Sequence, residues 1–125
     1  MLFRSEWERI SASLRIHTGE LDDWTPAAPC ARLTETLRAS GHDATITVYR
    51  GAHHSFDDAG VGFIYRSIVD NGAGCAFRIA SILGPLPSET EFAGCLTKGA
   101  TIAGNSEGIE QARRNVRAQL AELLK

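Results

Sequence analysis

The chain of 125 residues lacks most of the features that would announce a class of function. It has no run of eighteen apolar residues, which excludes a membrane-spanning helix, so no membrane partner is expected. It has no excess of basic charge: thirteen Lys and Arg stand against fifteen Asp and Glu, for a net charge of −2. A nucleic-acid binder carries a basic face, whereas only short clusters such as Arg113-Arg114 occur, so no nucleic-acid partner is expected either. Cysteine is scarce. Cys30, Cys75 and Cys95 are odd in number and lack C-x-x-C spacing, so neither a zinc site nor a disulfide framework is predicted. Three reduced thiols point to a cytoplasmic protein. The start, Met1 to Arg9, is interrupted by charge and is not a signal peptide, although one encoded upstream of Met1 would escape this reading. At 43% hydrophobic and 22% charged residues, the composition is that of an ordinary globular chain, with room for one domain.

What is present begins at residue 13. Leu14-Arg15-Ile16-His17-Thr18 alternates apolar and polar side chains and stops at Gly19, as a half-buried strand does. After the turn Gly19 to Trp24, Thr25 is a good N-cap and Pro26 a good first helical residue; Pro29 is tolerated in the first turn. Leu33 and Leu37 then repeat at i, i+4, and Ser40-Gly41 supplies a left-handed stop. The β-branched, alternating segment Ala44 to Tyr49 predicts a second strand. Strand, helix, strand in this order is a βαβ unit with parallel strands and a right-handed crossover.

The remainder divides in two. Residues 58–106 hold most of the glycines and are predicted to be loop-rich; Cys75 to Leu83 reads as a helix or a buried strand, broken by Gly84-Pro85-Leu86-Pro87. From residue 107, the spacing of Ile109, Ala112, Val116, Leu120 and Leu123 predicts an amphipathic terminal helix, with Ser106 as its cap. A parallel pair with helices on one side leaves edges and faces open, so the sheet should be incomplete.

Functional groups in parallel sheets gather beyond the carboxyl ends of the strands. Asp22 and Asp23 lie just past the first strand, and His53 and His54 just past the second, so acid and imidazole share one sheet edge. A carboxylate that accepts a histidine's Nδ1–H fixes the tautomer and stabilises the imidazolium formed when the ring acts as a general base. With His17 in a strand and His42 in a turn, no metal site is expected. Trp7 and Trp24 read as packing groups, with Trp24 also placed to line a substrate cleft beside Asp22.

The wording of the two loops narrows this. Gly19-Glu20-Leu21-Asp22-Asp23-Trp24-Thr25-Pro26 and Tyr49-Arg50-Gly51-Ala52-His53-His54-Ser55-Phe56 resemble the acid and histidine loops of the dienelactone hydrolase family, a branch of the α/β-hydrolases. The family pattern is G-x-x-D with a proline four residues after the Asp, then a strand ending in G-A-x-H-x-F. Asp22 and His54 fall on its acid and base positions; Asp23 and His53 are their neighbours. The resemblance is clear over residues 13–57 and weaker after 95. It implies the C-terminal part of an α/β-hydrolase fold: a βαβ unit over 13–57, a loop-rich segment over 58–106 and a terminal helix over 107–125. It further implies attack on the carbonyl of a small ester or lactone, an acyl-enzyme, hydrolysis by water, and no cofactor.

The family's nucleophile, a Cys or Ser in G-x-C-x-G or G-x-S-x-G, precedes the acid loop. Before Asp22 no such elbow occurs, and Cys75 and Cys95 follow the histidine with Phe77 and Thr97 where the elbow needs Gly. Two expectations result. In one, the chain is the acid and base portion of an ester or lactone hydrolase and associates with a missing N-terminal half that carries the nucleophile. In the other, it is a non-catalytic remnant that persists as a binding or homodimerising module.

Overall fold

The computed structural model describes residues 11–76 and 88–125. The readings made over residues 1–10, Trp7 included, and most of the Cys75–Leu83 segment with its Gly84–Pro87 stop lie outside them. The elements run β1 (Leu14–Gly19), α1 (Ala27–Ala39), β2 (Ala44–Tyr49), β3 (Ile64–Asn71), α2 (Glu89–Cys95), β4 (Thr97–Ile102) and α3 (Ser106–Leu123). β1 and β2 are parallel, in register from Leu14 opposite Ala44 to Gly19 opposite Tyr49. β3 and β4 form a separate antiparallel pair, tied to the first by a bridge between His54 and Ile102. The fold is therefore a partial α/β one, with two incomplete sheets.

Local chemistry accounts for the βαβ unit and for two departures from its expected detail. Gly41 holds φ +84 after α1, as the left-handed stop requires. At the other end the N-cap is Pro26, whose side chain has no acceptor for a capping bond, while the Thr25 hydroxyl donates to Asp22. The buried face of α1 is Thr34 and Leu37; Leu33 is 38% exposed. Thr34 tolerates burial because its hydroxyl donates to the Cys30 carbonyl at 2.8 Å.

The segment predicted to be loop-rich contains β3, α2 and β4. The pairing of β3 with β4 shifts register between Arg66 and Asp70, so its apolar residues do not alternate cleanly. Across from the shift, Gly99 holds φ +97 with the Tyr65 ring lying where its Cβ would be. α2 is opened by a capping box of Ser88 and Glu91.

The cysteine expectation is corrected here. Cys75 and Cys95 are joined in a disulfide with Cα atoms 5.1 Å apart, and Cys30 alone is free. The turn after β3 brings Cys75 beside the last residue of α2, a proximity that spacing along the chain does not reveal. With a bridge formed, the cysteines no longer argue for a reducing compartment.

Among the described residues the central core cluster is small: Tyr49, Ala52 and Phe56 pack together, with Ala112 of α3 against them. α3 is capped by the Asn105 side chain, which accepts from Gly108 N–H at 2.8 Å, and not by Ser106. Ile109 is buried, but Val116, Leu120 and Leu123 of the same stripe are between 39% and 49% exposed, as a two-stranded sheet is too narrow to cover them. Among the described residues no helix is long and apolar enough to cross a membrane.

Candidate active site

Two loops at the carboxyl ends of β1 and β2 build the site, and backbone bonds lock them together. Glu20 N–H donates to the Tyr49 carbonyl and Leu21 N–H to that of Ala52, at 2.9 and 2.8 Å. The Glu20 carboxylate accepts from Gly51 N–H at 2.8 Å. Gly19 is needed at this crossing. A Cβ there would lie 2.8 Å from the Ala52 carbonyl carbon and 3.0 Å from the His53 oxygen, both backbone. Gly19→Ala is accordingly expected to destabilise the chain by about 3 kcal/mol, read as a fall in the urea midpoint.

The expected pair forms. His54 Nδ1 lies 3.1 Å from Asp22 Oδ2, the Asp22 side chain being only 8% exposed and that of His54 31%. Asp22 is held by its own turn: Oδ1 accepts from the backbone N–H of Trp24 (3.0 Å) and of Thr25 (2.7 Å), and Oδ2 from the Thr25 hydroxyl (2.8 Å). Burial pushes the Asp22 carboxyl pKa up. The bonds from Thr25 N–H, the Thr25 hydroxyl, Trp24 N–H and His54 outweigh that and leave it below the ordinary aspartate value. An ionised carboxylate only accepts, so the proton on the facing side of the imidazole belongs on Nδ1. Nε2 then keeps its lone pair. Thr25 Oγ1, 3.1 Å from Nδ1, shares that proton.

The neighbours have other work. Asp23 accepts from Thr101 N–H and the Thr101 hydroxyl, both at 2.8 Å, and its carbonyl accepts from Asn71 Nδ2 at 2.9 Å, so it fastens the acid loop to the second sheet. His53 meets Phe63 edge-on, ring centroids 5.5 Å apart. Ser55 alone among the described non-glycine residues has a positive φ, +60. That kink lets the chain place His54 toward Asp22 and, two residues on, Phe56 in the core.

His54 and Asp22 line a cleft of about 380 Å³, bounded by His17 and Thr18 of β1, Phe56, and Ala112 and Val116 of α3. Trp24, expected along the wall, is not among its lining residues. Its indole ring lies against the His54 imidazole, centroids 5.0 Å apart, and its N–H donates to the Asp70 carbonyl at 3.1 Å. His17 is fully partnered. Its Nε2–H donates to Gln119 Oε1 at 2.9 Å, which makes Nδ1 the acceptor for the Tyr49 hydroxyl at 2.7 Å, and Asn115 Nδ2 donates to that hydroxyl at 3.2 Å.

One sequence pattern escaped the reading above. Gly104-Asn105-Ser106-Glu107-Gly108 spells G-x-S-x-G between β4 and α3, downstream of the histidine. The geometry is not that of a nucleophile elbow, in which the serine sits on a sharp, strained turn. Ser106 is instead the first residue of α3, behind the Asn105 cap, and its φ is not positive.

A parallel βαβ unit with a buried acid and a histidine at its carboxyl edge is an arrangement of α/β-hydrolase type. The model of the dienelactone hydrolase family matches residues 4–70, more than half of the chain, and the chain belongs to that family. The match takes in both loops and ends within β3, so α2, β4 and α3 lie beyond it. No curated protein and no solved structure matches the chain significantly.

Proposed function

We propose that the chain carries the acid and the base of a Ser/Cys–His–Asp triad for ester or lactone hydrolysis, with the nucleophile supplied by residues or a chain outside it. The observation that carries this reading is the 3.1 Å contact between His54 Nδ1 and a buried Asp22 Oδ2. In this role His54 Nε2 takes the proton of the attacking hydroxyl or thiol and later returns it to the leaving alkoxide. Asp22 holds the ring in the Nδ1–H tautomer and stabilises the imidazolium between those steps. No cofactor enters.

Two measurements test the reading. Long-range ¹H–¹⁵N correlation at neutral pH is expected to show His54 as the Nδ1–H tautomer and His17 as Nε2–H. An Nε2–H tautomer at His54 would remove the base. In an enzyme completed by a nucleophile-bearing half, His54→Ala should lower ester turnover by roughly 10²- to 10⁴-fold, the usual worth of a general base. A fluorophosphonate probe should leave the isolated chain unlabelled; His54-dependent labelling of Ser106 would move the nucleophile into the chain and overturn that part of the reading.

A further inference from the structure

Hydrogen bonds hold the His54 imidazole at one nitrogen. Both partners it has among the described residues, Asp22 Oδ2 and Thr25 Oγ1, meet Nδ1, each at 3.1 Å. The outer torsion of a histidine is broad, so a ring fixed at one corner and 31% exposed keeps the freedom to swing off its acid. A second contact limits that swing. The Trp24 indole lies against the imidazole, with centroids 5.0 Å apart and planes tilted by 49°. Trp24 is itself seated at two points. Its backbone N–H donates to Asp22 Oδ1 at 3.0 Å, and its ring N–H donates to the Asp70 carbonyl of β3 at 3.1 Å. One residue thus grips the acid through its main chain and meets the base through its side chain.

We propose that Trp24 is the positioning residue of the base: its indole keeps the His54 ring turned so that Nδ1 stays on Asp22. The inference rests on the reading of His54 as that base and adds a third residue to the pair. Trp24 does not line the cleft beside His54, so it acts through the imidazole and not on a bound ester. The second sheet gains a part in the site as well. The indole is anchored on a main-chain carbonyl of β3, which leaves the pairing of the Asp70 carboxylate with Lys98 undisturbed. The ring can also be replaced without releasing the acid, because residues 24 and 25 both bond Asp22 Oδ1 through their backbone N–H groups.

Solvent exchange of the His54 Nδ1 proton, followed by ¹H–¹⁵N correlation on the whole chain, tests it, since that proton exchanges when the ring leaves Asp22. Trp24→Leu keeps bulk but has neither an aromatic ring nor an N–H. It should exchange this proton about tenfold faster than the wild type, as the loss of an aromatic contact and of the bond that seats it would give. Trp24→Phe returns an aromatic ring and should stay within about threefold of the wild type. The backbone amides of β1 and β2 should exchange as before in both. In the wild type, Overhauser contacts between the indole and the His54 ring protons are expected, and their absence would overturn the proposal without any substitution. Equal exchange in Trp24→Leu and wild type, a Trp24→Phe ring proton as fast as that of Trp24→Leu, or β1 and β2 amides accelerated as much as the ring proton would overturn it too, and would leave the base assignment standing. A wild-type His54 in the Nε2–H form would overturn both.

Discussion

Phe56→Ala is expected to lower the unfolding free energy by about 3 kcal/mol, the usual cost of emptying an aromatic from a core. Phe56 is 8% exposed and forms, with Tyr49 and Ala52, a cluster that joins β2, the histidine loop and α3. Its ring centroid lies 5.0 Å from that of Tyr49. Gly108 of α3 also borders the ring, and a Cβ there would already come within 3.0 Å of it. A backbone at that contact has no side chain that could move into the space left. The loss weighs more in a chain whose core is this small. Phe56→Leu, which refills most of the volume, should cost about 1 kcal/mol. Urea titration followed by far-ultraviolet circular dichroism checks both. Because Phe56 N–H bonds to the His53 carbonyl and its carbonyl accepts from Asn105, the loop that carries His54 loosens with it.

The parts of this structure that were legible in the sequence are those in which local chemistry and tertiary demand agree. β1 and β2 were legible from their alternating, β-branched sequences, and Gly19, Gly41 and Gly51 end elements where the chain must turn. Asp22 and His54 were found because parallel topology puts strand ends together and because the wording of their loops is characteristic. β3 was missed because its register shift breaks the alternation that marks a strand. The capping box of Ser88 and Glu91 was a readable sign of α2, and Asn105 followed by Gly108 a readable sign of where α3 begins. The role of Asp23 was not readable, since its partner Thr101 lies 78 residues away and forms no pattern with it. Gly104 to Gly108 teaches the converse lesson. A five-residue match to a catalytic pattern carries little weight until the serine's backbone is seen, and here it is an ordinary helix start.

Asp22→Asn separates the chemistry of the site from its architecture. The substituted amide keeps one oxygen, which can still accept from Trp24 and Thr25 N–H, so the turn should survive. Its NH₂ group then faces the Thr25 hydroxyl and His54 Nδ1, both of which donated before. The hydroxyl rotates to accept, and Nδ1 must give up its proton to accept as well, which drives the ring to the Nε2–H tautomer. The base is thereby blocked without being removed. In a completed enzyme turnover should fall by about 10⁴-fold, the effect of the wrong tautomer in a Ser–His–Asp triad, and the ¹⁵N spectrum of His54 should report the change directly. Stability at neutral pH should fall by about 1–2 kcal/mol for the lost charge-assisted bonds. The acid limb supplies the control. The Asp22 carboxyl lies below its ordinary value in the folded chain, so its contribution is complete above the unfolded value of about 3.9 and is lost as pH falls through the folded one. Wild-type stability should therefore drop more steeply than that of Asp22→Asn as pH falls below about 4, and the two curves should converge. Asp43, lowered by its bonds to Arg15 and Ser13, and Glu91, lowered by Ser88, titrate in both proteins and cancel in the difference. Curves that stay parallel down to low pH would mean that Asp22 is not held as an anion against His54.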